Sequence, residues 1–290
     1  MWKYVKYNLN LMKRQKSFQF VFALMLLISI AMPIYYVVTY WGFYEYALPS
    51  SDTLYIGNNA GICWEYLSLV FSFLIVLPYG FSFMSENKSG VILYVQARGE
   101  RKNYYYGQLI ACFIGTAFVF LLPFLFNIFL NALLFPVNGN DYISTNNAYD
   151  FNWANSIMGR GFFKETLFNG YIFKDIGINH PQFYNVIYAV WSSCASGIMG
   201  MFIYAVSIIF QKNALSLFIA NYLFFMIFTV LDRILENGNL PLYINTNLTD
   251  YLANGHFNQG RVYPLYLLFL LCESVVSVSI IKHRLRKDEL

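Results

Sequence analysis

Ser85-Glu86-Asn87-Lys88-Ser89-Gly90-Val91-Ile92-Leu93-Tyr94-Val95-Gln96-Ala97-Arg98-Gly99-Glu100-Arg101-Lys102-Asn103-Tyr104-Tyr105-Tyr106-Gly107 lies between two long apolar runs, residues 61–84 and 108–135. Ser85 is a good helix cap, Glu86 sits near the positive end of the dipole that would follow, Arg98 sits near the negative end, and Gly99 can stop the helix. About thirteen residues at 1.5 Å each give a helix of roughly 20 Å. Its middle, 91–95, is too apolar to prefer water, which implies a contact with lipid headgroups or a partner. A short charged helix between two apolar runs reads as the connection between two membrane-crossing helices.

Runs of the roughly 20 apolar residues needed to cross a bilayer recur near 18–40, 61–84, 108–135, 185–210, 214–235 and 263–281. The 290 residues are 58% hydrophobic, 20% aromatic and only 12% charged, where soluble domains carry about 25% charged residues. That excludes a soluble enzyme with a polar shell, and also a disordered chain, which needs little apolar content. The runs lack the apolar/polar alternation of barrel strands. The expected fold is therefore an all-α polytopic membrane protein with six transmembrane helices, built as one transmembrane domain over residues 1–290. Only Gln211-Lys212-Asn213 separates the fourth and fifth runs, but together they are too long to cross once. The first run is too long for the apolar core of a secretion signal and lacks a small-x-small exit, so it is expected to remain as the first span.

Basic residues orient such a chain, because cytoplasmic segments carry the excess of Lys and Arg. One side would hold Lys3, Lys6, Lys13, Arg14, Lys16, Lys88, Arg98, Arg101, Lys102, Lys212, Lys282, Arg284, Arg286 and Lys287. The other would hold only Arg160, Lys164, Lys174, Arg233 and Arg261. Both termini are therefore expected in the cytoplasm of a cell-membrane protein, with 282–290 as a cytoplasmic tail and 136–182 as a long extracellular segment. That segment is rich in Asn and aromatic residues, and both an ordered loop and a substrate-handling surface fit it. Residues 1–17 read as a cytoplasmic interfacial helix, with Trp2, Val5, Leu9 and Met12 on one arc and Lys3, Lys6 and Lys13 to one side. A plain basic flank is the alternative.

Polar residues inside the runs are costly and so informative. Glu65 and Glu273 are the ionisable groups at apparent membrane depth, and each should be neutral, paired or facing a wet cavity. For Glu273 both a transport role and a hydrogen bond to a neighbouring helix are open. Ser192, Ser196 and Gly200 recur every four residues, a spacing that lets two helix backbones approach, within the bundle or between subunits. Pro78 and Pro123 interrupt the second and third runs, the two that flank the hairpin, and either hinges or static bends would follow.

The four cysteines, Cys63, Cys112, Cys194 and Cys272, lie in or beside apolar runs without C-x-x-C pairing, and read as small buried hydrophobes. His180, His256 and His283 lie outside the predicted spans, so neither a Ser-His site nor a histidine metal cluster is expected there. Asn247-Leu248-Thr249 is a formal glycosylation triplet. No metal site, nucleic-acid partner or enzyme chemistry is expected of this chain.

Glu86, Gly90, Arg98-Gly99, Arg101 and Tyr104-Tyr105 leading into an apolar span resemble the permease subunit of type-2 ABC exporters, including the branch that works with peptide antibiotics and lantibiotics. The six-run topology with its basic start and cytoplasmic ends is similar over the whole chain, while the residue pattern covers about twenty positions. Gln108 departs from it where a lysine is expected. The resemblance implies that 85–107 is a coupling hairpin resting on a separate ATPase subunit, with Glu86, Lys88, Gly90, Arg98, Gly99, Arg101 and Lys102 as its contact residues. It also implies a second permease chain, alike or different, and ATP and Mg bound by the partner ATPase. The absence of a G-x-x-x-x-G-K-[ST] loop agrees, since no cofactor site of that kind is present in this sequence. Export of an amphipathic peptide or lipid-like compound is the expected function. The alternatives are a proton-coupled carrier using Glu273 or Glu65, and a non-transporting immunity protein.

Overall fold

A computed structural model of the chain describes residues 1–43, 48–57, 62–78, 86, 90, 101–137, 173, 176–177, 180–209, 219–224, 226–227, 230, 252 and 259–287. The regular elements with continuous boundaries are α1 (Trp2–Arg14), α2 (Lys16–Thr39), α3 (Ile62–Val76), α4 (Arg101–Leu134), α5 (Pro181–Ile209) and α6 (Gln259–Lys287). No strand occurs among the described residues. Four stretches are long and apolar enough to cross a membrane: Lys16–Thr39, Arg101–Leu134, Pro181–Ile209 and Tyr266–Arg286. They have the length and composition of a multi-pass membrane protein, and correspond to the first, third, fourth and sixth apolar runs. The second run yields the 15-residue α3. Of the fifth, 219–224, 226–227 and 230 are described, all helical.

α4 is the spine. Its 34 residues extend about 50 Å at 1.5 Å per residue, and every other element can be placed along it. α1 runs beside its first turns: a Cβ added to Gly107 would stand 2.8 Å from Tyr4 Cβ, and Met12 fills the space over Gly115. The two sets of residue numbers rise together, so α1 and α4 point the same way. α2 continues in that direction, with Phe22 stacked on Phe118 at 6.0 Å and Tyr40 edge-on to Phe135 at 6.4 Å. Gln15, extended at ψ 132°, makes the break between α1 and α2. α3 runs opposite to α4, with Phe71 against Phe120 at 5.0 Å and Glu86, farther along the chain, reaching back to Tyr104.

α5 is also antiparallel to α4: Tyr204, late in α5, bonds Gln108 early in α4, while Asn185, early in α5, bonds Asp52, whose neighbour Ser51 bonds Pro136 just past the end of α4. Gly197 and Gly200 make the close crossing, where added Cβ atoms would meet Phe113 O at 2.8 Å and Thr116 Oγ1 at 2.6 Å. α6 then runs parallel to α5, from the Trp191–Tyr266 ring contact at 6.1 Å to a cavity shared by Ile208, His283 and Arg284. One end of the bundle consequently collects the start of α1, the start of α4 and the ends of α5 and α6, and with them Lys3, Lys6, Arg101, Lys102, Lys282, Arg284 and Arg286. This is the basic end.

Several sequence-based boundaries shift. The helix of the third apolar run begins at Arg101, inside the expected hairpin, because the three tyrosines 104–106 are helical and packed although hydropathy does not flag them. The fourth begins at Pro181, a residue suited to a helix start. The last helix continues to Lys287, so 282–287 are helical. At Pro78, α3 has ended at Val76 and Leu77-Pro78 form a turn, as expected where proline disfavours helical geometry in the residue before it. Pro123 does lie inside α4, and Pro33, which the sequence reading passed over, lies inside α2. On α1, Val5 and Met12 are buried as the arc predicts and Leu9 is partly buried, but Trp2 is exposed and Asn8 is buried in its place.

The end opposite the basic one is closed by residues 50–57. Ser50, Ser51, Asp52, Leu54, Tyr55 and Ile56 are all buried. Its backbone is held by amide side chains from the helices. Asn127 Oδ1 accepts from Ile56 N–H at 3.1 Å, Asn131 Nδ2 donates to Leu54 O at 2.9 Å, and Asn185 Nδ2 donates to Asp52 O at 2.8 Å. Asn127 Nδ2 also donates to Ser29 O on α2, and Ser29 Oγ donates to Pro123 O. Non-helical backbone at such depth is tolerated only where its polar groups are satisfied by the protein. Tyr55 packs edge-on to Phe124 at 5.9 Å, and burial pushes its phenol far above the usual range.

Candidate functional site

At the basic end a carboxylate is buried among side chains from three parts of the chain. Glu86 is 7% exposed. Its Oε2 accepts from Tyr104 Oη at 2.5 Å and from Gln108 Nε2 at 2.7 Å. Gln108 Oε1 in turn accepts from Tyr204 Oη on α5 at 2.8 Å. The spacing on α4 explains how one helix supplies two donors: residues 104 and 108 are one turn apart and share a face. Tyr104 also touches α1, its ring edge-on to Tyr4 at 5.9 Å.

The polar chain Glu86–Gln108–Tyr204 therefore connects Glu86 to α4 and, through α4, to α5. An uncompensated carboxylate in such a place costs several kcal/mol. The hydrogen bonds from Tyr104 Oη and Gln108 Nε2 offset that cost in part. Deleting the carboxylate would leave Tyr104 Oη and Gln108 Nε2 without this acceptor, so the group fixes geometry on both sides of it. Nothing in the cluster is arranged as a nucleophile with a base. What it does chemically is tether.

The remaining residues singled out by sequence fall as follows. Gly90 is half-buried with φ +75° and open space around it, a left-handed conformation that favours glycine. Arg101 is half-buried at the first residue of α4 and Lys102 is exposed. Lys88, Arg98 and Gly99 lie outside the described residues, as does most of the expected coupling helix. Glu65 belongs to α3, but its side chain lies outside the described set. Glu273 is buried at 5% exposure on α6, and its Oε2 has no hydrogen-bond partner among the described residues.

Ser192 and Ser196 are buried, with their hydroxyls bonded one turn back to Tyr188 O and Ser192 O at 2.7 and 2.6 Å. Together with Gly200 against Thr116 they face the chain's own bundle. Cys63 and Cys112 are buried free thiols, whereas Cys194 is half-buried and Cys272 exposed. Among the described residues no group of His, Cys, Asp and Glu is placed to hold a metal ion.

Sequence reasoning missed Tyr204 and treated Gln108 only as a departure from a pattern. A usable signal was present: a glutamine in an otherwise apolar run needs a partner, and Glu86 lies in the adjoining hairpin. Asn127 and Asn131, one turn apart within the third run, carried the same signal and were also passed over.

No family model, curated protein or solved structure matches this chain.

Proposed function

We propose that the chain is the membrane-embedded permease subunit of an ATP-driven ABC exporter, moving an amphipathic peptide or lipid-like compound with energy supplied by a separate ATPase. The observation that carries this reading is the buried tether from Glu86 to Tyr104, Gln108 and Tyr204. A push delivered to the hairpin that contains Glu86 would reach α4 and α5 together, because the connection runs through short side-chain bonds in a packed interior. Four span-length helices and the collection of basic residues at the same end accord with that role. In this reading the basic end faces the cytoplasm, a second permease chain completes the path, and ATP and Mg reside in the partner.

The test begins with a tagged full-length chain purified from its native host. A nucleotide-hydrolysing subunit is expected to co-purify, and reconstituted vesicles should export substrate only with ATP. Glu86→Ala should lower transport at least tenfold per ATP hydrolysed while leaving ATPase binding intact. Glu86→Gln keeps an oxygen that accepts both bonds and should restore most coupling. Transport by the purified chain with no ATPase bound, or unchanged coupling in Glu86→Ala, overturns the proposal.

A second reading, a proton-coupled carrier, is favoured by one observation: Glu273 is buried in α6 with one carboxyl oxygen unpartnered. It requires that Glu273→Gln abolish transport with assembly intact, and that a proton gradient drive transport without ATP.

A further inference from the structure

The parallel helices α5 and α6 meet closely at Trp191 and Tyr266, and toward the basic end they enclose a cavity of about 540 Å³. Its walls are Ile208 and Ile209 from α5 and Val276 and Ile280 from α6, with His283 and Arg284 at the next turn. On α6 the wall runs from Val276 to Arg284, about 12 Å of helix. Ser279, also on the wall, has its hydroxyl bonded to Val275 O at 2.8 Å, which leaves little polar demand below the level of His283. No acidic residue is among the described lining residues.

The cavity thus has an apolar floor and a cationic rim, and it opens beside helices of membrane-spanning length. We infer that it is a binding site for an anionic phospholipid, with an acyl chain along Ile208, Ile209, Val276 and Ile280 and the phosphate at His283 and Arg284. The volume is in the range of small-molecule sites. Basic pockets between transmembrane helices recognise phosphate headgroups in this way, since a guanidinium matches two phosphate oxygens at once. A zwitterionic lipid fits the floor equally well but gains less at the rim, so the preference resides in the headgroup charge. The inference does not depend on the transport reading.

Full-length protein in neutral detergent is titrated with dioleoyl phosphatidylglycerol and separately with dioleoyl phosphatidylcholine, and retained lipid is counted by native mass spectrometry. Phosphatidylglycerol should be retained about tenfold better. Arg284→Gln should weaken its retention about fivefold, the usual contribution of one basic residue near a phosphate, whereas Lys3→Gln, exposed on α1 and outside the cavity, should match the wild type. Ile280→Trp fills the floor without touching the rim and should displace the lipid even if Arg284→Gln proves unstable. Equal retention of the two lipids, or wild-type retention by Ile280→Trp, overturns the inference. So does full displacement by inorganic phosphate, which would mean that no chain is seated, or a cross-linked dimer that covers the cavity and excludes lipid.

Discussion

The two ends of the bundle are both stitched by buried polar side chains, but with different chemistry. At the end closed by residues 50–57, neutral amides of Asn127, Asn131 and Asn185 hold backbone groups. At the basic end, a carboxylate, an amide and two phenols hold one another. Backbone groups must be satisfied in every state of a folded chain, so the amide clamp is a fixed requirement of the fold. Side-chain partners can be exchanged, and a group whose charge is compensated only by its neighbours responds when they move. The difference assigns permanence to one end and adjustability to the other, with α4 as the continuous element between them.

The largest effect is expected on breaking the clamp. Asn127→Leu keeps side-chain size but leaves Ile56 N–H and Ser29 C=O without their bonds and removes an acceptor of Asn131. At 1–3 kcal/mol for each buried group left unsatisfied, the loss is about 4 kcal/mol. Heating with a thiol-reactive dye, which reports exposure of the buried Cys63 and Cys112, should show a much lower transition. A shift no greater than that of a surface substitution would mean that the 50–57 segment is not held as described.

An intermediate effect is expected midway between the ends. Gly200→Val places atoms where Thr116 Oγ1 already stands 2.6 Å from an added Cβ, and overpacking of this kind costs about 2 kcal/mol. Because α5 carries both Asn185 and Tyr204, pushing it from α4 should loosen both ends. Gly200→Val combined with Asn127→Leu should then cost less than the two changes added separately, a coupling that the same dye measurement reads.

How much of this was legible in the sequence depends on whether the signal was local. The apolar runs at 18–40, 108–135, 185–210 and 263–281 foretell the existence of α2, α4, α5 and α6, with ends that differ by up to seven residues, because length and hydropathy are properties of a single segment. The burial of Ser50-Ser51-Asp52 is not legible that way. These residues suit an exposed turn, and they go inside because distant groups meet them: Ser51 N–H donates to Pro136 O, Gln182 Nε2 donates to Ser51 Oγ, and Asn185 Nδ2 donates to Asp52 O. Likewise Glu86 was picked out for a partner surface from its place in the hairpin, yet its described contacts are internal, with residues 18 and 22 positions farther on. α1 shows the same limit. Its arc was read correctly at Val5 and Met12, but that Tyr4 would rest on Gly107 depends on a glycine a hundred residues away.

The smallest effect sharpens the contrast most. Tyr204→Phe removes one hydroxyl and leaves Gln108 Oε1 with one donor fewer, a neutral bond worth about 1 kcal/mol. The ring remains in place, and so does the packing of α5 on α4. If the basic end is the adjustable one, this change should barely move the thermal transition but should decouple Glu86 from α5, so that Glu86→Ala adds little further loss of transport in a Tyr204→Phe background. If instead both ends are fixed in the same manner, the two substitutions will lower stability additively and transport will follow stability. A double-mutant cycle read by both measurements separates these outcomes, because an interaction energy that appears in transport and not in unfolding belongs to a connection made for motion and not for holding the fold.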